Sequence, residues 1–539
     1  MNENKATPTT YGLCCLDGSI VRTKVAVIGA GIAGLGCCHR LRVEHGLSRE
    51  EVLLLEARDR IGGRVHTCYL PKTGIPVDAG ASWIHGVEGS PLVHYLEHVP
   101  SSVHPHPQIT STTGVPPRQR TRKTKETSEG LHRPKDIIIF DGATKSFVPP
   151  KKTNDMQQLF LDLFEKVENE AQKRKEEAEA EAQQQNKERS NDSLGIALRE
   201  AFEEERKKDL GMEEHELETR LYDFFLHIAS EYCGGPMDDH SLSAWIEDED
   251  AFPGTHLFLS EYSIITDELF HQAQPTLRLN QQVVHIDYHH NSCSKTKPLV
   301  RVKTKQGLEV ECERAVVTLP LGILRNGSVR FQPDLPESKR EAIQGIGWGL
   351  CNKVFLCFER PFWGDLPEVI GYIPDNESHF KKTTFLNLQK IMEQPILMLY
   401  LFAEEAHEME DLTDQLILDH ALSLLSEMFP HSSALMKELL KDHFITRWGQ
   451  DECATGAYTW LPLGASAKQC SELARSVPFF FSPSHAKAEA EEDEEAKEEA
   501  LFFAGEATNE EYYSYAHGAL LSGYDAADRV VASFKQQQQ

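Results

Sequence analysis

The hexapeptide Gly29-Ala30-Gly31-Ile32-Ala33-Gly34 has the G-x-G-x-x-G spacing of a dinucleotide site. In such a turn the first glycine permits the tight reversal and the second lets the backbone approach a pyrophosphate. The third allows a helix to pack closely on a strand. A helix starting there would hold phosphate oxygens at its N-terminus, where unpaired N–H groups and the helix dipole favour negative charge. Glu56 ends the next apolar run and is placed to accept hydrogen bonds from ribose hydroxyls. Arg58, Gly62, Gly63 and Arg64 follow at once. The paired glycines would let backbone come close to a ligand, and Arg64 offers a two-pronged donor for a phosphate or a ring carbonyl. FAD and NAD share this unit, so the choice between them rests on the rest of the chain.

These residues require a strand before the turn, a helix after it, and a second strand ending at the acid. Lys24–Ile28 is a short β-branched run, Ile32–His45 reads as a helix, and Val52–Glu56 is a second buried strand, together a βαβ unit. Past Asp248 the pattern turns to strands: Thr276–Asn280, Val283–Tyr288, Val300–Thr304, Leu308–Cys312 and Ala315–Leu319. Phe502–Gly505 reads as a late strand and Gly518–Phe534 as a final helix. Met156–Glu218 is rich in Glu, Lys, Ala and Gln, with Leu159, Leu163, Val167 and Ala171 at three- and four-residue spacing. That spacing predicts a solvated amphipathic helix covering a domain. Pro105–Pro134 is a Pro-, Ser- and Thr-rich excursion carrying a basic run, Arg118–Lys125.

A chain of 539 residues exceeds one ordinary core, and its 40% hydrophobic and 26% charged residues suit a soluble globular protein. The net charge of −28 works against nonspecific nucleic-acid binding and favours cationic ligands. His485–Ala500, expected to be a disordered loop, holds eight acids and two lysines and so carries −6 of that total. The 12 cysteines show neither disulfide nor zinc spacing, and no metal site is expected. No apolar run approaches the ~20 residues of a membrane span. The N-terminus lacks a secretory pattern and the C-terminus ends in glutamines, not Ser-Lys-Leu. A cytoplasmic monomer is expected, and the basic run raises the nucleus as a second location.

The long form of the first motif, V-x-G-A-G-I-A-G-L followed by L-E-A-R-D-R-I-G-G-R, resembles the flavin-containing amine oxidases. Asp78–Gly86 (DAGASWIHG) is similar to the segment that passes the flavin in polyamine oxidases, which implies cofactor contacts for Gly80, Ala81, Ser82 and Trp83. Val283 falls where a family valine contacts adenine through its backbone. Phe503–Thr508 and Tyr515–Gly523 look like the second flavin fingerprint, in which Glu506 would bind the ribityl chain, with Tyr515 and Ala516 at a helix start facing the flavin pyrimidine. The resemblance runs from about Val21 to Val531. It implies an α/β protein with a Rossmann-like domain binding FAD non-covalently and a discontinuous substrate domain. The cofactor domain is expected at 21–95, 241–325 and 445–534, and the substrate domain at 96–240 and 326–444; 1–20 is a flexible start and 535–539 a tail.

Amine oxidation needs few protein groups, because the flavin carries the electrons. The protein must hold the carbon beside nitrogen against the ring and keep that nitrogen uncharged, which apolar walls favour by desolvating the cation. Lys353 resembles the family lysine that holds a water against the flavin. Tyr458, Tyr515 and Trp448 fall where these oxidases place aromatics that flank an extended aliphatic amine. His85 is a departure: extracellular plant-type polyamine oxidases carry Glu there, and intracellular and animal-type enzymes carry His. Glu231 would supply a carboxylate for a distal ammonium. The implied substrates are spermine, spermidine or acetylated derivatives, with oxygen as acceptor and hydrogen peroxide as product. His85 favours the back-conversion type, which cleaves on the outer side of the nitrogen.

Three other readings compete. Monoamine oxidases add a membrane helix and a flavin-tethering Cys, neither matched between Thr508 and Gln539. Histone lysine demethylases of the same superfamily insert a long helical tower, whereas the charged helix here is modest. The third is an FAD-stabilised scaffold without turnover.

Overall fold

The computed structural model describes residues 20–97, 110–111, 137–182, 192–207, 214–246, 252–253, 256–259, 261–290, 299–375, 382–481 and 498–536. The basic run Arg118–Lys125 and residues 485–497 of the acidic stretch lie outside them.

Strands covered on both faces read as unbroken apolar runs, and parallel pairing follows when helices do the covering. Val21–Ile28 pairs in parallel with Val52–Leu55 on one side and with Glu309–Val317 on the other. Thr276–Arg278 extends this sheet beyond Val52–Leu55, and Glu499–Phe503 lies parallel to Glu309–Val317. Val300–Thr304 and Val283–Asp287 continue it in antiparallel order, and Arg330–Gln332 ends the path. With Val477–Pro478 the sheet has nine strands. It therefore reaches past the boundary at residue 325 expected from the sequence.

Two further expectations need correction. Leu308–Cys312 and Ala315–Leu319 are not separate strands but parts of one, Glu309–Val317. Arg314, between the two expected runs, is fully buried, donating to Ser533 Oγ at 3.0 Å and Glu498 Oε1 at 3.1 Å. A buried guanidinium with such partners is tolerated inside a strand. Glu498 and the strand Glu499–Phe503 also show that the acidic loop ends before residue 500.

The first helix is α-helical over Ile32–His39 and continues as a π-helix over Arg40–Glu44. The last helix, Ala516–Gln536, packs against it. Glycines permit the close approach: a Cβ added at Gly523 would lie 2.1 Å from the Ala33 carbonyl oxygen.

A second sheet of seven strands is built around Cys351–Phe358, all eight residues of which are buried. Ile396–Phe402 and Leu440–Ile445 flank it, both antiparallel, with Lys353 opposite Tyr400. The stretch expected as one amphipathic helix forms three: Pro150–Ala182, Leu194–Arg206 and Glu214–Cys233. Their apolar faces meet in one cluster, where Phe202 stacks on Tyr222 at 4.0 Å. A smaller sheet joins Trp83–Ile84, Leu257–Phe258 and Thr110–Ser111. Among the described residues no helix is long and apolar enough to cross a membrane.

The tight contact between first and last helices gives one expected outcome. Gly523→Ala overpacks it and destabilises the protein by about 1–3 kcal/mol, measured as a lower denaturant midpoint. An unchanged midpoint would show that the helices can separate freely.

Candidate functional site

The glycine turn closes the carboxyl ends of the first two strands. Gly29 takes φ +109°, which a side chain rarely allows, and its N–H donates to Leu55 O at 2.8 Å. A Cβ at Gly34 would fall 1.9 Å from Gly29 O, whereas one at Gly31 would meet nothing within 4 Å. The turn is thus packed on its inner side and open at Gly31. Gly63 lies against Gly31, with an added Cβ 3.1 Å from the Gly31 Cα. Glu56 is buried at the strand end, accepting from Ala30 N at 2.7 Å and Arg58 N at 2.9 Å. Burial raises its carboxyl above the usual range, against the pull of those two N–H groups. Arg58 turns away from the turn: its guanidinium forms a two-pronged pair with Asp451 at 2.8 and 2.6 Å.

The opposite wall comes from the C-terminal region. Glu506 is buried, and its carboxylate accepts from Arg64 Nη1 at 2.9 Å, Ser514 N at 3.2 Å and the Thr459 hydroxyl. Arg64 also donates to Ala457 O at 2.7 Å, and its guanidinium stacks 5.1 Å from the Trp348 ring. A small cavity on this side is lined by Arg64, Leu319, Leu321, Gly505, Glu506 and Thr508. A Cβ at Gly505 would meet nothing within 4 Å. Open backbone at Gly31 and Gly505, with buried carboxylates at either end, fits a dinucleotide. Val283 is buried at the start of its strand, where the pairing with Val300–Thr304 shifts register.

Lys353 joins the second sheet to this region. Its side chain is buried, and Nζ donates to Asp78 O at 3.0 Å, to Gly80 O at 2.5 Å and to the Ser82 hydroxyl. Burial pushes its basicity down, opposed by nearby Cys351, Asp78 and Cys68. Trp448 reaches the same turn, donating from Nε1 to Ala79 O at 2.9 Å. Ala81 N donates to Arg64 O at 3.2 Å, and Trp83 packs edge-on against Phe258 at 5.0 Å.

His85 lies 5.1 Å from the Tyr515 ring and 5.3 Å from His256. Tyr515 stacks in turn on His517, 4.9 Å away and 12° from parallel, just before the helix that Ala516 begins. Burial, reinforced by His256 and His517, holds His85 well below the usual histidine range, so it is neutral near pH 7. His517 is likewise pushed down to about 4 by burial. Tyr458 packs against Gly234, whose added Cβ would lie 2.5 Å from that ring. Glu231 is near the end of the helix Glu214–Cys233, and its side chain lies outside the described residues.

Sequence reasoning did not assign Asp78, Asn352, Glu410, Asp451, His256 or His517. Asn352 accepts from Thr446 Oγ1 at 3.0 Å and Trp448 N at 2.9 Å, and donates to Glu410 Oε1 at 2.8 Å. The signal available was the polar pair Asn352-Lys353 within an apolar strand, since buried polar side chains are retained with partners.

The model for the family described as flavin containing amine oxidoreductase matches residues 32–531. Polyamine oxidase 3 of Oryza sativa subsp. japonica is 29% identical over 95% of this chain and 90% of its own length. Polyamine oxidase 2 of Arabidopsis thaliana is 27% identical over 96% of this chain and 90% of its own. Lysine-specific histone demethylase 1 homolog 1 of Arabidopsis thaliana is 28% identical over 94% of this chain but 52% of its own.

Replacing Glu506 by Leu removes the acceptor of four donors, from Arg64, Thr459 and Ser514, so flavin content after purification should fall severalfold. A full complement of flavin in that variant would show that the Glu506 wall is not needed for retention.

Proposed function

The chain belongs to the flavin-containing amine oxidoreductases and binds FAD, and from that membership we propose that it is a polyamine oxidase. The reading is carried by His85, a buried neutral imidazole set against the Tyr515 ring. An aliphatic amine is an ammonium in water, with a pKa near ~10.4. It must lose its proton before the carbon beside nitrogen can give up hydride. A neutral imidazole accepts a hydrogen bond from that nitrogen, and aromatic walls make the cation costly and so favour the uncharged amine. The −28 net charge attracts a polycation to the surface before that step. The identities to polyamine oxidases over most of their length support the same substrate class.

We assign a Rossmann-like cofactor domain to the nine-stranded sheet, with the pyrophosphate at Gly29–Gly34, a ribose at Glu56 and the ribityl chain at Glu506. The seven-stranded sheet and its three helices belong to the substrate domain. The chemistry that FAD supplies when bound is two-electron oxidation of the carbon beside nitrogen, with oxygen as final acceptor and hydrogen peroxide as its product. Lys353 orients from the turn Asp78–Ser82 and holds or moves a proton at its Nζ. Tyr515 and Tyr458 guide the aliphatic chain, and Trp448 closes the site to water. Hydrolysis of the substrate imine yields an aldehyde and a shorter amine.

Turnover with spermine, spermidine and their acetylated forms is expected to release hydrogen peroxide, and identifying the aldehyde defines the cleaved side. Activity confined to a methyl-lysine peptide would replace this reading with a demethylase. Lys353→Met should slow flavin reduction or reoxidation on the order of 10²-fold with FAD content unchanged. Unaltered single-turnover rates would remove Lys353 from the mechanism.

A further inference from the structure

We propose that Asp78 is a positioning residue for Lys353: its buried carboxylate locks the turn whose carbonyls hold the lysine amine, and places a negative charge beside that amine. The proposal rests on Lys353 acting at the flavin.

Asp78 ends the strand Pro76–Asp78, paired with Thr67–Tyr69 so that Thr67 lies opposite it. The residue is 2% exposed, and a desolvated carboxylate needs donors. Three contacts supply them. Oδ1 accepts from Thr67 Oγ1 at 2.5 Å and from Tyr262 N at 3.0 Å, and Oδ2 lies 3.1 Å from the same N–H. Thr67 Oγ1 then accepts from Ser263 N at 3.1 Å, so the carboxylate is tied to the first turn of the helix Ser263–Ala273.

The backbone that follows is fixed by this anchor, and its next three carbonyls point to the site. Asp78 O and Gly80 O accept from Lys353 Nζ, and Ala79 O accepts from Trp448 Nε1. The turn packs closely on the neighbouring backbone, where a Cβ at Gly80 would fall 1.8 Å from Arg64 O. One carboxylate therefore sets the depth of both side chains. The three acceptors of Lys353 Nζ, Asp78 O, Gly80 O and Ser82 Oγ, are neutral, so ion pairing through a direct hydrogen bond is not what holds it.

The charges around the pair come from four elements. Cys351 lies on the lysine's own strand, Cys68 on Thr67–Tyr69, and Glu261 and Tyr262 lead into the helix Ser263–Ala273. Tyr400, on the neighbouring strand, has its ring 5.4 Å from Nζ. Burial drives the Asp78 carboxyl up to about 7 and the Lys353 amine down, and each charge offsets part of the other's displacement.

Asp78→Asn keeps shape and a carbonyl acceptor but removes the charge. The ammonium then loses support, so Lys353 gives up its proton at lower pH. Two readouts follow on the holoenzyme: the visible spectrum of oxidised flavin titrated with pH in the absence of substrate, and the pH profile of flavin reduction. The inflection that Lys353→Met abolishes should move to lower pH in Asp78→Asn. The double variant should match Lys353→Met alone. If Asp78→Asn does not fold, Thr67→Val is used instead. It removes a donor that favours the carboxylate and should move the same inflection in the same direction, less far. An inflection that Lys353→Met abolishes but that stays at the wild-type pH in these variants would overturn the proposal and leave the Lys353 reading intact. If Lys353→Met leaves the spectrum, the profile and the rates as in the wild type, the Lys353 reading itself falls, and this proposal with it.

Discussion

A primary amine taken out of water must find protein acceptors for its hydrogens or give up its charge. Lys353 meets that constraint through one turn, Asp78–Ser82, which belongs to a different part of the chain and of the fold. The lysine sits on the second strand of the seven-stranded sheet, a strand buried throughout. Its reach to the turn, repeated by Trp448, binds that sheet to the region built on the glycine turn. Register matters here because a one-residue slip in a strand points every side chain to the opposite face. Lys353 N donating to Thr446 Oγ1, and Thr446 N to Lys353 O, hold the strand at the correct step.

The cofactor end follows a similar rule with opposite charge. Glu56 and Glu506 are buried acids kept in place by N–H and hydroxyl donors. The backbone at Gly31 and at Gly505 is open, with room for a Cβ at either position. Arg64 links the first region to the last through Glu506. The buried imidazoles complete the pattern: a site built to keep nitrogen neutral has His85 and His517 held neutral by burial.

Much of this was legible in local sequence. The glycine spacing and Glu56 are contiguous signals, and the strand, the turn, the next strand and the last helix form close to where the local sequence predicts them. What stayed hidden depends on residues far apart. Arg58 follows the glycine turn closely in sequence, but the partner of its guanidinium is Asp451, 393 residues later. The acceptors of Lys353 lie more than 270 residues before it, and nothing in either stretch announces the other. The strand Glu309–Val317 runs on through a buried Arg314 because Glu498 and Ser533, from elements far along the chain, supply its partners. The three helices of 150–233 merged into one pattern for the opposite reason: their composition is uniform, and only packing around Phe160, Phe202 and Tyr222 separates them.

Taken together, these features describe a flavin site whose protein groups govern protons while the bound cofactor handles electrons. The most direct measurement is anaerobic rapid mixing of the FAD-loaded protein with spermine or spermidine while following the oxidised flavin band. The account predicts rapid bleaching, with a rate that rises as the substrate nitrogen loses its proton. An oxidised band that persists through that mixing would contradict it.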